Sequence, residues 1–233
     1  MWVPVYSRRR FLRLLGGGGA LLAAWPRRAL ADQEELVTVS VLHTTDLHGH
    51  ITPTRMYPDA AGVVVEDVGG LARCATQIRA WRKENPHHLL LDVGDIYQGT
   101  QVSHASRGRL MMKLLNQLGY DGWVIGNHEF DWGQGPFREA VAASAGAVLG
   151  SNAKVDGVYA NMLKEGSHPL AKIRPYLVKE VAGFRIGVIG SITPGLPDWL
   201  PPGLLGGFSA APPVRSLHYA MSRLQREGAD AVV

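Results

Sequence analysis

Apolar and polar positions along the chain fall into blocks that switch between a two-residue and a 3.6-residue period. Residues 36–44 carry Val37, Val39, Val41 and Leu42 in a β-branched run that reads as a buried strand, stopping at Asp46-Leu47-His48-Gly49-His50. Residues 51–68, rich in Pro, Asp and Gly, read as a loop. From 70 to 83 the stripe Leu71, Cys74, Ile78 and Trp81 predicts a helix, and Leu89-Leu90-Leu91-Asp92-Val93 a short strand that ends in Gly94-Asp95. The pattern then repeats: Leu110, Met111, Leu114, Leu115 and Leu118 form a helical face, Trp123-Val124-Ile125 a strand, and Gly126-Asn127-His128 its polar tip. A further helix over 134–145 leads to Ala147-Val148-Leu149, and residues 176–181 and 184–189 flank Ala182-Gly183 as a hairpin. Residues 194–213, with ten Pro and Gly among twenty, read as loop; 214–227 is helical, and 230–233 begins another strand.

Strands alternating with helices, followed by a hairpin, predict an α/β protein with an antiparallel addition. No internal repeat and no interdomain linker stands out, so residues 32–233 read as one mature domain. In such sheets ligands collect outside the carboxyl ends of the strands, where the chain turns and side chains from separate segments converge. Three predicted strand ends carry chemistry of this kind: Asp46 with His48, Asp95, and Asn127 with His128.

Charge changes the picture at the N-terminus. The net +4 and basic pI suggest a polyanion binder, yet Arg8, Arg9, Arg10, Arg13, Arg27 and Arg28 all precede Asp32, in a stretch without an acid. The remainder holds 18 basic against 20 acidic residues, which argues against nucleic acid as a partner. Residues 1–31 read as a targeting segment: a charged start, an apolar stretch over 11–25 diluted by four glycines, and Ala29-Leu30-Ala31 as a cleavage site. Ser7-Arg8-Arg9-Arg10-Phe11-Leu12 resembles the twin-arginine signal, so the expected partner is that export machinery and the expected location periplasmic or otherwise exported. The apolar run falls short of the ~18–20 residues a membrane span needs, and no stable span is expected after leader cleavage. Cys74 is the only cysteine, which excludes an intrachain disulfide; its place in a helical stripe marks it as a small core residue.

Carboxylate, imidazole and amide oxygen together form a mixed hard and borderline ligand set that suits Mn, Zn, Fe or Mg. In Asp46-Leu47-His48, strand alternation is expected to turn both side chains to one side of an extended segment. The other histidines read differently. His43 lies inside the first strand as a core residue, and His87-His88 form a solvated turn. His104, His168 and His218 have no partner at ligand spacing, and His50 stands beside the metal motif, where both a surface role and contact with substrate are open.

On Asp46-Leu47-His48-Gly49, Gly94-Asp95-Ile96-Tyr97-Gln98-Gly99 and Gly126-Asn127-His128-Glu129-Phe130-Asp131-Trp132-Gly133, the sequence resembles the calcineurin-like metallophosphoesterases, and among them the 5′-nucleotidase and 2′,3′-cyclic phosphodiesterase group. The resemblance runs from about residue 37 to 152. It implies a layered α/β sandwich with mixed sheets, two divalent metal ions, and hydrolysis of a nucleotide or other phosphate ester. Asp46 and His48 would then hold the first ion, Asp95 bridge both, and Asn127 bind the second. His128, oriented by Asp131, would serve the transition state or the leaving group. A sulfate-releasing thiol hydrolase of the same superfamily shares this order of motifs, but Asn127-His128-Glu129 followed by Asp131 fits the phosphatase branch better. The family pattern goes on to a strand ending in His and a Gly-His-x-His turn that complete both metal spheres, and then to a C-terminal domain with nucleoside-stacking aromatics. This sequence carries none of these, so a sandwich incomplete on its C-terminal side and a non-catalytic metal-binding remnant is the competing expectation.

Overall fold

The computed structural model describes residues 37–56, 62, 65–155, 158–159 and 169–233. Residues 39–233 form one compact unit, which is described here; residues 1–31, expected as a leader, and His168 lie outside the described residues. In chain order the elements are β1 (Ser40–Thr44), β2 (Thr54–Met56), β3 (Val65–Val68), α1 (Leu71–Glu84), β4 (His88–Asp92), α2 (Gln101–Ser106), α3 (Arg109–Leu118), β5 (Gly122–Val124), α4 (Gln134–Ala143), β6 (Ala147–Leu149), β7 (Ala153–Val155), β8 (Val158–Tyr159) and β9 (Ile173–Arg174). There follow β10 (Tyr176–Val181), β11 (Phe184–Ile189), the one-turn helices α5 (Leu196–Trp199) and α6 (Pro202–Leu205), β12 (Phe208–Ala210), α7 (Pro213–Arg226) and β13 (Ala231–Val232).

The central sheet runs β1-β4-β5-β6-β9 and is parallel at every pairing, with Thr44 opposite Asp92 and Asp92 opposite Trp123. Its strands therefore all finish at the same edge, which is the condition for side chains from distant segments to meet. On one face the apolar stripes of α1, α3 and α4 bury Leu71, Ile78, Met111, Leu115 and Phe137 against Trp123 and Ile125. The other face meets a second sheet, β10-β11-β13, through Leu89, Leu91, Leu149, Val181, Ile186 and Val188. Gly187 lets α7 close onto that sheet, because a Cβ there would stand 2.7 Å from Leu224. The helix, sheet, sheet, helix order is the layered α/β sandwich with mixed sheets expected from the sequence. The two sheets are pinned by Lys179, whose ammonium lies 2.6 Å from Asp121, while the other carboxylate oxygen of Asp121 accepts the Leu90 N–H. Among the described residues, no helix is long and apolar enough to cross a membrane.

Several local expectations change. The first strand begins at Ser40, and because it lies at the sheet edge its residues alternate between half-buried and exposed; His43 is exposed and not core. The segment expected as loop over 51–68 contains the β2–β3 hairpin, and α2 was not legible in its polar sequence. Thr100 starts that helix by accepting the Ser103 N–H on its side chain, an N-cap too local to register in a periodicity search. The Pro- and Gly-rich stretch 194–213 is not all loop: prolines open the first turns of α5 and α6, where a missing N–H is harmless, and β12 then pairs with β7. His88 is the half-buried first residue of β4, so only His87 fits a solvated turn.

The hairpin β10–β11 pairs in the expected register, Val181 opposite Phe184, with Ala182 at φ 52° and Gly183 at φ 78°. Two left-handed residues in a two-residue loop are the pattern Asn-Gly fills best. Alanine there carries a left-handed penalty of ~1–2 kcal/mol, so Ala182→Asn is expected to stabilise the chain by about 0.5–1 kcal/mol, read as a raised midpoint in urea; an unchanged or lowered midpoint would contradict this turn geometry.

Candidate metal centre

Three strand tips build the centre. After β1 the chain turns at Asp46 (φ 52°) and His48 (φ 44°), and after β4 at Gly94 (φ 102°) and Asp95 (φ 57°). The Asp46-Leu47-His48 segment is thus not extended: two left-handed residues fold it into a tight turn that brings Asp46 Oδ1 to 3.7 Å from His48 Nε2. The two turns are bonded backbone to backbone, with the N–H groups of Asp46, His48 and Gly49 donating to the carbonyls of Gly94, Asp95 and Ile96 at 2.9–3.0 Å. The third tip, after β5, leads through Gly126 and Asn127 into a 3-10 turn, His128–Phe130. Phe130 anchors that turn in the core, its ring 4.5 Å from Phe137 and 4.8 Å from Phe208.

His48, Asp95 and His128 meet: one ligating atom of each lies within 4.8 Å of the others, and the two imidazole rings are 5.0 Å apart, nearly edge to face. Asp46 stands beside His48, and Asp131 behind His128. Asn127 heads the same turn, half-buried, between Gly126 and His128. His50, exposed at the end of the first turn, contributes its backbone N–H to Leu47, and His104 sits apart with its ring against Trp132.

The tautomers follow from the partners. His48 Nδ1 lies 3.0 Å from the Gln98 carbonyl, an atom that only accepts, so Nδ1 carries the proton and Nε2 presents a lone pair. His128 Nδ1 lies 2.9 Å from Asp131 Oδ2, which fixes that ring the same way. Asp95 Oδ1 accepts the His128 N–H at 3.1 Å. An imidazole whose far nitrogen donates to a carbonyl or carboxylate is the usual setting of a metal-bound histidine. With carboxylate oxygens alongside, these donors fit a divalent ion of the Mn, Zn, Fe or Mg kind.

A residue without an assigned role in the sequence holds the tips together. Glu129 is 1 % exposed, and its carboxylate accepts three backbone N–H groups: Ile96 at 2.7 Å on one oxygen, Asp95 at 3.1 Å and Gly126 at 2.7 Å on the other. The glycines follow from this crowding. A Cβ on Gly126 would stand 2.1 Å from Asp95 Oδ1, and one on Gly94 2.8 Å from the Gly126 nitrogen. The sequence offered a faint signal for Glu129, an acid directly beside an apolar anchor within a string of ligands. Beside Asp131 a groove of about 520 Å³ opens between Gln98, Gln101, His104 and Trp132. At the fourth tip, after β6, Asn152 is fully buried and its amide is used up between Ile192 and Ala211, so that tip braces the fold.

A mixed α/β sandwich thus gathers imidazoles and carboxylates at parallel strand tips. The profile of the calcineurin-like phosphoesterases matches residues 39–180, and the chain belongs to that family. Within the family its relatives are 5′-nucleotidases and related nucleotide phosphoesterases. It is 34% identical over 183 residues to the snake venom 5′-nucleotidase of Gloydius brevicauda, covering 78% of this chain and 30% of that protein. It is 32% identical over 201 residues to the 5′-nucleotidase of Bos taurus, covering 86% and 32%. The 2′,3′-cyclic-nucleotide 2′-phosphodiesterase/3′-nucleotidase of Haemophilus influenzae is 28% identical over 244 residues, covering 97% and 35%. The crystal structure of a 5′-nucleotidase precursor from Thermus thermophilus superposes with a TM-score of 0.70 at 28% identity, covering 82% of this chain and 35% of that one. A sulfate thiohydrolase from the same organism superposes at 0.69 but 19% identity, a likeness of fold alone. The chain spans about a third of the length of the curated relatives it matches.

Burial pushes the Asp92 carboxyl up to about 7 against the hydrogen bonds from Thr44 and Gly94, and the Glu129 carboxyl up to about 8 against those from Ile96, Asp95 and Gly126. Both folded values lie above the unfolded range of about 4. The folded chain therefore holds protons that the unfolded chain has released, and stability falls as pH rises from about 4 toward 7–8. In metal-free protein the melting temperature should drop between pH 5 and pH 8, and Asp92→Asn should flatten the slope; a melting temperature that climbs over this range would contradict the burial of these acids.

Proposed function

We propose that this chain is the metal-bearing part of an exported phosphate-ester hydrolase of the 5′-nucleotidase type. The observation that carries this reading is the convergence of His48, Asp95 and His128, from three separate strand tips, with the Nδ1 of each imidazole engaged by Gln98 or Asp131. Asp46 and His48 would hold one divalent ion, Asp95 would be shared between two, and the Asn127 amide oxygen would complete the protein's donors to the second. When bound, such a pair supplies a water made acidic near neutral pH and positive charge for the phosphoryl oxygens.

The remaining steps fall to the chain itself. His128 gives a proton from Nε2 to the departing alkoxide, the general-acid role that an imidazole beside a leaving group can fill. Asp131 keeps the other ring proton on Nδ1 and stabilises the imidazolium form. The substrate is a nucleotide or similar phosphate monoester, as the names of the relatives suggest. Residues 1–31 are read as a twin-arginine leader and the mature chain, 32–233, as periplasmic.

Phosphate release from AMP with manganese tests the reading. His128→Ala should lower kcat by about 10²–10⁴-fold while manganese still binds, and Asp95→Ala should remove binding and turnover together. Turnover surviving both substitutions would defeat the assignment, cation binding without turnover in the wild type would favour the remnant, and release of sulfate from thiol adducts alone would favour the sulfur hydrolase.

A further inference from the structure

One more carboxylate lies under the centre and takes no part in the chemistry above. Asp92, the last residue of β4, is fully buried. Its Oδ2 accepts the Thr44 hydroxyl at 2.6 Å, and its Oδ1 accepts the Gly94 N–H at 2.9 Å. Thr44 has a single proton and has given it to Asp92, so the 2.9 Å contact between its oxygen and the Tyr120 hydroxyl is donated by tyrosine. A directed string results, from Tyr120 to Thr44 to Asp92, and the Gly94 N–H donates into the same carboxylate from the other side. Gly94 is then gripped from both sides, its N–H by Asp92 and its carbonyl by the Asp46 N–H at 3.0 Å.

The two carboxylates assigned to the first and the shared ion, Asp46 and Asp95, are therefore attached to the same small unit, and Asp92 sets where that unit sits. A buried acid is a poor choice for stability alone, since an apolar residue of similar volume would be easier to bury. We propose that Asp92, supported by Thr44 and Tyr120, is a positioning residue that fixes the spacing of Asp46 and Asp95 and through it the affinity of the site for divalent cations. This rests on the metal reading of the centre.

Isothermal calorimetry with manganese on the full chain, alongside thermal melts, separates positioning from plain support. Asp92→Ala should weaken manganese binding by about 10–100-fold, as removal of an outer partner of a metal ligand does elsewhere. Asp92→Asn should recover most of the affinity, because its amide oxygen still accepts the Gly94 N–H and its NH₂ can donate to Thr44. Thr44→Val, which leaves the Asp92–Gly94 contact in place, should fall between the two. Phosphate release by the Ala variant should return at saturating manganese. Wild-type affinity in folded Asp92→Ala overturns the proposal, and if that variant does not fold, wild-type affinity in Thr44→Val does so. A wild-type chain that binds no manganese overturns the metal reading itself, and this proposal with it.

Discussion

Backbone pairing between the turn after β1 and the turn after β4 is the constraint on which the rest of the centre depends. Asp46, His48 and Gly49 donate in succession to Gly94, Asp95 and Ile96, so the two tips continue the β1–β4 ladder beyond the strands themselves. Three non-glycine residues pay for this continuation with left-handed backbone, at ~1–2 kcal/mol each by the general cost of that conformation. Such strain persists only where the surroundings over-determine it. Here they do: Glu129 ties the second tip to the third, and the Phe130 ring locks the third into the core.

The same arrangement concentrates negative charge. Burial chiefly raises Asp92 and Glu129, with Asp46 and Asp95 adding to the first and Asp95 to the second, so in the absence of cations these four acids oppose one another's ionisation at one edge of the sheet. Divalent ions would relieve that opposition while using the His48 lone pair already aimed by Gln98. Cation binding at the proposed site would therefore be linked to folding stability, because ions that bind the folded chain and not the unfolded one stabilise it by mass action.

Much of the frame was legible in the residues. The period change from Leu89-Leu90-Leu91 to the helical face of Leu110, Met111 and Leu115 placed β4 and α3, and the three polar tips followed from where the apolar runs stop. What the sequence withheld has two physical causes. Edge position is a tertiary property: β1 is as β-branched as a central strand, so only its neighbours reveal that His43 faces outward. The buried acids were hidden for a related reason. Glu129 bonds to residues 33 and 34 positions away, and Asp92 to Thr44 at a separation of 48, distances along the chain at which spacing in one sequence carries no signal. The left-handed turns at Asp46 and His48 escape a reading by strand alternation, because past the strand end the ladder continues but the strand geometry does not.

Anomalous scattering from crystals of the chain soaked in manganese bears most directly on the central claim, that side chains from three strand tips converge to hold cations. A strong peak is predicted among His48 Nε2, the Asp95 carboxylate and Asp46, with a second on the Asn127 side of Asp95. Manganese bound elsewhere on the surface, with no density beside Asp95, would contradict it.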